Sequence, residues 1–313
     1  ELDKQVKVVF AKEGNQLQII GALALARAES ISQSNKIVYS YNSIDSEKPY
    51  NSEIKLESMD TIDIIETMWQ AENEAGNQLK TSLPIIAKII DTVINKMKLG
   101  GRIIYVGAGT SGRIAAMDSI EIPCTFGLSE EKIITLIAGG ISDASIEIES
   151  DFEEDASAVP EMLLLNIQQE DTVIGISASG TAYFIQSALA YAKSCGAVTV
   201  LIQTRKPQIS LPFCDHVIPL NSGNEVIAGS TRLKAGTAMK KVLNIFSSTL
   251  MIRMGKVSGP YMVDMACINN KLIERAKMIL SKLFRISEAD AYKQLEINRF
   301  NLRNTIERIN GRL

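Results

Sequence analysis

The stretch "YVGAGTSGR", residues 105–113, sets Gly107, Gly109 and Gly112 in a G-x-G-x-x-G arrangement directly after the apolar run 103–106. That spacing serves two chemistries. One is dinucleotide binding, in which an acidic residue about 20 positions on, at the end of the second strand, takes the ribose hydroxyls. The other is capture of an anion by the free backbone N–H groups and positive dipole end of a helix start. Here the second strand runs into "IAGGIS" and ends at Gly139 and Gly140, while Asp118 and Glu121 fall on or just after the intervening helix. The dinucleotide reading therefore lacks its acid. Thr110 and Ser111, two hydroxyls beside the helix start, suit a phosphate.

A second loop repeats the design: "IGISASGT" brings Ser177, Ser179 and Thr181 around Gly180, again between a strand and a helix. Either loop alone reads as routine helix capping by Ser and Thr. Together, at the carboxyl ends of strands in an open parallel sheet, they supply the donors that one phosphate and several sugar hydroxyls need.

The elements that must position these loops follow from the apolar pattern. Short apolar runs at 103–106, 133–138, 172–176, 198–203 and 216–220 alternate with helical segments near 111–121, 152–168, 180–195 and 207–213. This pattern predicts a doubly wound, three-layer α/β/α fold with a parallel five-stranded sheet covered on both faces. Upstream, Ser58 or Asp60 caps a helix whose Ile62, Ile65, Met68 and Trp69 recur at helical spacing, a stripe read as core. A second helix, 79–98, stops at Gly100 and Gly101. Downstream of Gly229 the pattern is helical: 232–254, 269–284, 287–295 and 301–309. Residues 1–56 carry no chemical motif; a strand at 6–10, a helix at 17–30 and a strand at "KIVYSY" are expected there. The chain thus divides into an N-terminal extension (1–56), an α/β phosphosugar-binding domain (57–262) and a C-terminal helical region (263–313).

Composition narrows the function. With 313 residues, 46% hydrophobic and 22% charged, the chain is long enough to bury a substantial core. A net charge of -3, from 33 basic and 36 acidic residues, gives no basic field for nucleic acid. The one histidine, His216, argues against multi-histidine metal sites and a His-dependent triad. Cys124, Cys195, Cys214 and Cys267 stand without C-x-x-C pairing, which implies neither a zinc knuckle nor a disulfide framework and points to a reducing, cytoplasmic setting. The apolar stretch 19–26 is too short to span a bilayer. No membrane, metal or cofactor role is expected.

"GGRIIYVGAGTSGR", with "IPCTFG", "LIAGG", "GSTRLKAGTAMKKVLN" and "GKVSGPYMVDM", resembles the N-acetylmuramic acid 6-phosphate etherases over residues 58–313. These belong to the sugar-isomerase (SIS) superfamily, as does the glucokinase regulatory protein. The resemblance implies a lyase that removes D-lactate from N-acetylmuramic acid 6-phosphate, and a homodimer. It implies two catalytic carboxyl groups: Glu121, in "MDSIEIPCTFG", as acid, and a base in "ESDFEEDAS" that maps best to Glu154, with Glu153 beside it. Glu225 in "GNEVIAGS" and Lys234 in "STRLKAG" correspond to residues near the sugar. Two carboxyl groups in opposite protonation states suit the reaction, which abstracts the C2 proton and expels the C3 ether oxygen.

The chain departs from the etherase pattern around the same cleft. "ASGTAYF" stands where etherases carry "ASGRTPY", losing an arginine and a proline, and "GNE" replaces "GPE". The rival reading is a non-catalytic phosphosugar-binding regulator like the glucokinase regulatory protein, although that protein has two tandem SIS units. An aldose–ketose phosphate isomerase is a third.

Overall fold

The computed structural model describes residues 25–31, 33–34, 36–37, 47–140, 156–204, 210–265, 267 and 269–311. Its centre is a parallel sheet of five strands: β1 (Ile103–Gly107), β2 (Ile133–Ile137), β3 (Thr172–Ile176), β4 (Val198–Gln203) and β5 (His216–Pro219). They lie in the order β2-β1-β3-β4-β5, with every pairing parallel. Wholly buried runs such as 103–107 and 172–176, rich in Ile and Val, are what a sheet covered on both faces requires. The order reverses between β1 and β3, and ligands of open α/β sheets bind at the carboxyl ends of the strands at such a reversal. Gly107 ends β1 and Ser177 follows β3, so the two hydroxyl loops meet there.

Two helical layers cover the sheet. On one face lie α1 (Thr61–Gln78), α2 (Leu83–Lys98), α3 (Gly109–Phe126) and the long α6 (Lys234–Arg253); Ile89, Val93, Ala115, Val242 and Phe246 fill the core between helices and sheet. On the other lie α4 (Val159–Leu164) and α5 (Tyr183–Ser194), packed through Met162, Phe184, Ala188 and Leu189. A two-stranded ribbon, β6 (Val257–Ser258) and β7 (Tyr261–Met262), leads to α7 (Asn270–Phe284), α8 (Glu288–Ile297) and α9 (Leu302–Ile309). These three helices close a core of their own around Ile279, Leu280, Leu295 and Leu302.

Several expectations change. The stripe on α1 is not core in the single chain: Ile62, Ile65 and Trp69 are 59%, 57% and 69% exposed. The helix is instead buried at the small residues Ala71 and Ala75 and packs against α6, which turns the bulky face outward. The expected helix at 79–98 is a 3-10 turn, Leu79–Ser82, followed by α2. Residues 210–213 of the segment expected at 207–213 are not helical, since Leu211 precedes Pro212 and is pushed out of the α region; the rest of that segment lies outside the described residues. Of the expected 152–168, the described part is helical only over α4, which Asn166 ends at φ 49°. The strand expected at 6–10 lies outside the described residues, as does most of "KIVYSY", whose Lys36 and Ile37 form no strand; in the expected helix at 17–30 the described 25–30 are helical.

Candidate active site

The glycine loop works by close contact. A Cβ on Gly107 would lie 2.6 Å from both Cα and N of Gly112, so the strand end and the first turn of α3 touch with no room for side chains. Gly109 turns the chain at φ 57°, a conformation glycine adopts without penalty. The turn aims the first N–H groups of α3 and the side chains of Thr110 and Ser111 at the carboxyl edge of the sheet.

The second loop is held by its own hydroxyls. Ser177 Oγ accepts the Gly180 N–H at 2.9 Å, Ser179 Oγ accepts the Thr181 N–H at 3.2 Å, and the Ser179 and Thr181 hydroxyls lie 2.6 Å apart. Gly180, at φ 77°, permits the turn and delays α5 until Tyr183.

The two loops enclose one cavity of about 290 Å³. Gly109, Thr110, Ser111, Ser177 and Ser179 line it, together with Glu47, Gly229 and Thr231. Thr181 stands behind Ser179, outside the lining. Among the described residues no lysine or arginine lines this cavity; those that do offer hydroxyls and backbone N–H groups to an anion.

Glu225 and Lys234 sit beside it in a different arrangement from the one expected. Glu225, 1% exposed, accepts the N–H of Lys234 at 3.0 Å and of Ala235 at 2.9 Å, and so caps α6 from a distance in sequence. Burial pushes its carboxyl up from the ordinary value, against those two N–H bonds and the Lys234 charge. Lys234 is buried, with Nζ 4.6 Å over the Tyr50 ring. Burial lowers its ammonium pKa, opposed by the charges of Glu225, Glu74 and Glu72. Lys234 lines a second cavity, of about 470 Å³, with Tyr50, Glu74, Ser222 and Asn224.

Glu121 is not brought to either cavity within the one chain. It lies 12 residues along α3 from Gly109, about 18 Å at 1.5 Å per residue. Its neighbours fix the level: Asp118 accepts from Tyr105 Oη at 3.1 Å and Ser119 from Thr135 Oγ1 at 2.7 Å, both at mid-strand. Glu121 is exposed below that level, among Met117 and Ile120, which are 54% and 64% exposed. Glu154 and Glu153 lie outside the described residues.

Sequence reasoning missed Glu47 and Tyr50, single residues in a segment without pattern, and no local signal marks them. Thr231, by contrast, stands inside the "GSTRLKAG" segment, whose density of hydroxyl and basic residues before a long helix was the available clue.

The order of the strands and the paired hydroxyl loops define an α/β domain of the sugar-isomerase, or SIS, class. The family model of the glucokinase regulatory protein N-terminal SIS domain matches residues 85–193. The N-acetylmuramic acid 6-phosphate etherase of Geobacillus thermodenitrificans is 40% identical over 241 residues, 77% of this chain and 82% of its own. That of Halalkalibacterium halodurans is 40% identical over 243 residues, 77% of this chain and 81% of its own. Among solved structures, a putative sugar-phosphate isomerase from Listeria monocytogenes is 20% identical with a TM-score of 0.48, covering 63% of this chain and 94% of its own. The chain belongs to the N-acetylmuramic acid 6-phosphate etherase family. No helix among the described residues is long and apolar enough to cross a membrane.

Proposed function

We propose that this chain is a carbon–oxygen lyase that converts N-acetylmuramic acid 6-phosphate to N-acetylglucosamine 6-phosphate and D-lactate. The 40% identity to etherases across most of both chains carries the reading. The cavity at the strand reversal offers the phosphate seat such a substrate needs. Glu47, the one carboxylate among the described residues of its lining, suits acceptance of sugar hydroxyls.

In the ring-opened sugar the C2 proton is weakly acidic beside the C1 aldehyde. Glu154, as carboxylate, takes that proton; its electron pair forms the C2–C3 double bond as the C3–O bond breaks; Glu121, as carboxylic acid, protonates the departing lactate oxygen. Water then adds across the double bond. Glu121, now ionised, takes the water proton as oxygen bonds to C3, and Glu154 returns its proton to C2.

Five bonds of about 1.5 Å separate the phosphorus from C3 and six from C2, so the reacting atoms lie within about 9 Å of the phosphate. Glu121 is about 18 Å down α3 from that seat, which favours a homodimer in which it serves the cavity of a second copy. The exposed Met117 and Ile120 around it, and the outward face of Ile62, Ile65 and Trp69, suit such a contact. We place the protein in the cytoplasm, on its four free cysteines.

A lactate-coupled assay tests the reaction: lactate is expected from the wild type and none from Glu121→Gln. No lactate at high enzyme concentration overturns the lyase reading. Mixing Glu121→Gln with the double variant Thr110→Val/Ser179→Ala tests the dimer. Activity recovered by subunit exchange supports a shared site, whereas two inactive variants whose mixture stays inactive place Glu121 in its own chain's site.

A further inference from the structure

The cavity beside the hydroxyl site holds two polar groups that its own walls leave unanswered. Lys234 is 2% exposed, and among the described residues its Nζ contacts the face of Tyr50 but forms no ion pair. Ser222, 3% exposed, lines the same cavity, and its Oγ has no hydrogen-bond partner among the described residues. A buried ammonium with no direct ion pair among the described residues, favoured only at longer range by Glu225, Glu74 and Glu72, and an orphaned hydroxyl each cost free energy unless a ligand answers them. The nearest lining carboxylate, Glu74, is engaged by Tyr50 Oη at 2.9 Å, and the Glu225 carboxylate by two backbone N–H groups. The walls thus offer an ammonium and a hydroxyl to an incoming acceptor.

The two cavities draw on neighbouring residues of the same two segments. Glu47 and Thr231 line the hydroxyl cavity; Tyr50 and Lys234, each three residues further on, line the second. Three residues of extended chain reach about 10 Å. In the substrate of the proposed reaction, eight bonds lead from the phosphorus through C6, C5, C4, C3 and the ether oxygen to the lactyl carboxyl carbon. Their contour is about 12 Å, so a sugar phosphate seated by its phosphate among the hydroxyls extends as far as the second cavity.

We propose that Lys234 and Ser222 form a carboxylate subsite for the lactyl group, the part of the substrate that the sugar product lacks. The inference rests on the lyase reading above and deepens it. Lys234 donates a charge-assisted hydrogen bond to the carboxylate while the Tyr50 ring supports the ammonium from its other side, and Ser222 donates the second bond. Preference for the lactyl ether over the sugar product then comes from this cavity, and the hydroxyl loops, which meet the phosphate and hydroxyls common to both, do not discriminate.

The test compares Lys234→Met and Ser222→Ala with the wild type. The KM for N-acetylmuramic acid 6-phosphate and the inhibition constant of N-acetylglucosamine 6-phosphate are measured for each. Lys234→Met is expected to raise KM about 10- to 100-fold, Ser222→Ala about 3- to 10-fold, and both to leave the inhibition constant within about 2-fold. Ser222→Ala removes only an unpaired hydroxyl and keeps the test open should Lys234→Met fold poorly. A parallel rise in both constants, or an unchanged KM, overturns the subsite. If the wild type releases no lactate, the lyase reading fails by itself, and calorimetry with the two sugars decides the cavity. A preference for the lactyl sugar that Lys234→Met abolishes upholds the subsite, and equal wild-type affinities overturn it.

Discussion

The carboxylate of Glu225 binds the backbone N–H of Lys234 at 3.0 Å, so one buried acid fixes the start of α6 and, through it, the origin of the buried ammonium. Replacing Glu225 by Ala orphans two buried N–H groups, each worth about 1 to 3 kcal/mol. Glu225→Ala is expected to lower stability by about 3 kcal/mol in urea denaturation, and Glu225→Gln, which keeps one acceptor oxygen, by about half that. A change under about 0.5 kcal/mol would show that the cap does not hold the helix.

The contact between Gly107 and Gly112 makes a sharper test of packing. Gly107→Ala places a Cβ 2.6 Å from Gly112 backbone atoms, which only a shift of α3 relieves. A loss of about 3 kcal/mol is expected, at the upper end for overpacking, together with weakened phosphosugar binding by calorimetry. Gly140→Ala is the control for positive φ without crowding, since φ there is 82° and nothing lies within 4 Å of the added Cβ. It should cost about 1 kcal/mol.

Two serines of one loop should separate ligand binding from stability. Ser177 Oγ accepts a buried N–H, so Ser177→Ala should cost about 1 to 2 kcal/mol of stability as well as affinity. Ser179 is half-buried in the cavity lining and its partners, the Thr181 N–H and hydroxyl, are only part-buried, so Ser179→Ala should weaken sugar phosphate binding about 10-fold at a smaller stability cost of about 0.5 to 1 kcal/mol. Equal thermal midpoints for the two variants would contradict this division.

Asp171 and Asp118 should respond to pH in opposite directions. Burial pushes the Asp171 carboxyl up, but hydrogen bonds from Arg102 and Gln168 and the Arg102 charge outweigh it and hold it below its ordinary value. Its contribution is therefore full above about pH 3.9 and lost as pH falls through the lower folded value. Burial raises Asp118 despite bonds from Ser247 and Tyr105 and the Lys240 charge, so its contribution is full below about pH 3.9 and lost as pH rises through the raised folded value. Stability measured from pH 3 to 7 should show the wild-type advantage over Asp171→Asn growing with pH, and that over Asp118→Asn shrinking with it. The same slope for both would refute the assignment.

Much of this was legible in the sequence because the governing signals are local. Continuous Ile/Val runs fix β3 and β4 at their observed limits, and a helix start after "VGAG" follows from glycine and hydroxyl chemistry alone. What escaped depends on partners distant along the chain. The apolar period of α1 marks one face, which the sequence suggests is core, but periodicity does not say which face a neighbour covers, and Ala71 and Ala75 let α6 approach the other one. Glu47 and Tyr50 reach the cavities across about 180 residues of sequence. The motif singles out Glu121 as a candidate, yet only the direction in which α3 runs reveals how far it stands from Thr110.

The Gly107–Gly112 contact ties the end of the strand directly to the start of the helix, so the main chain of the proposed phosphate seat is set by the sheet, and substitution can change only the hydroxyls it carries. The surrounding walls, Glu47 to Tyr50 and Thr231 to Lys234, come from two segments outside the sheet. Adapting this scaffold to a different sugar is therefore a matter of rewriting those two short segments, with the seat itself left untouched.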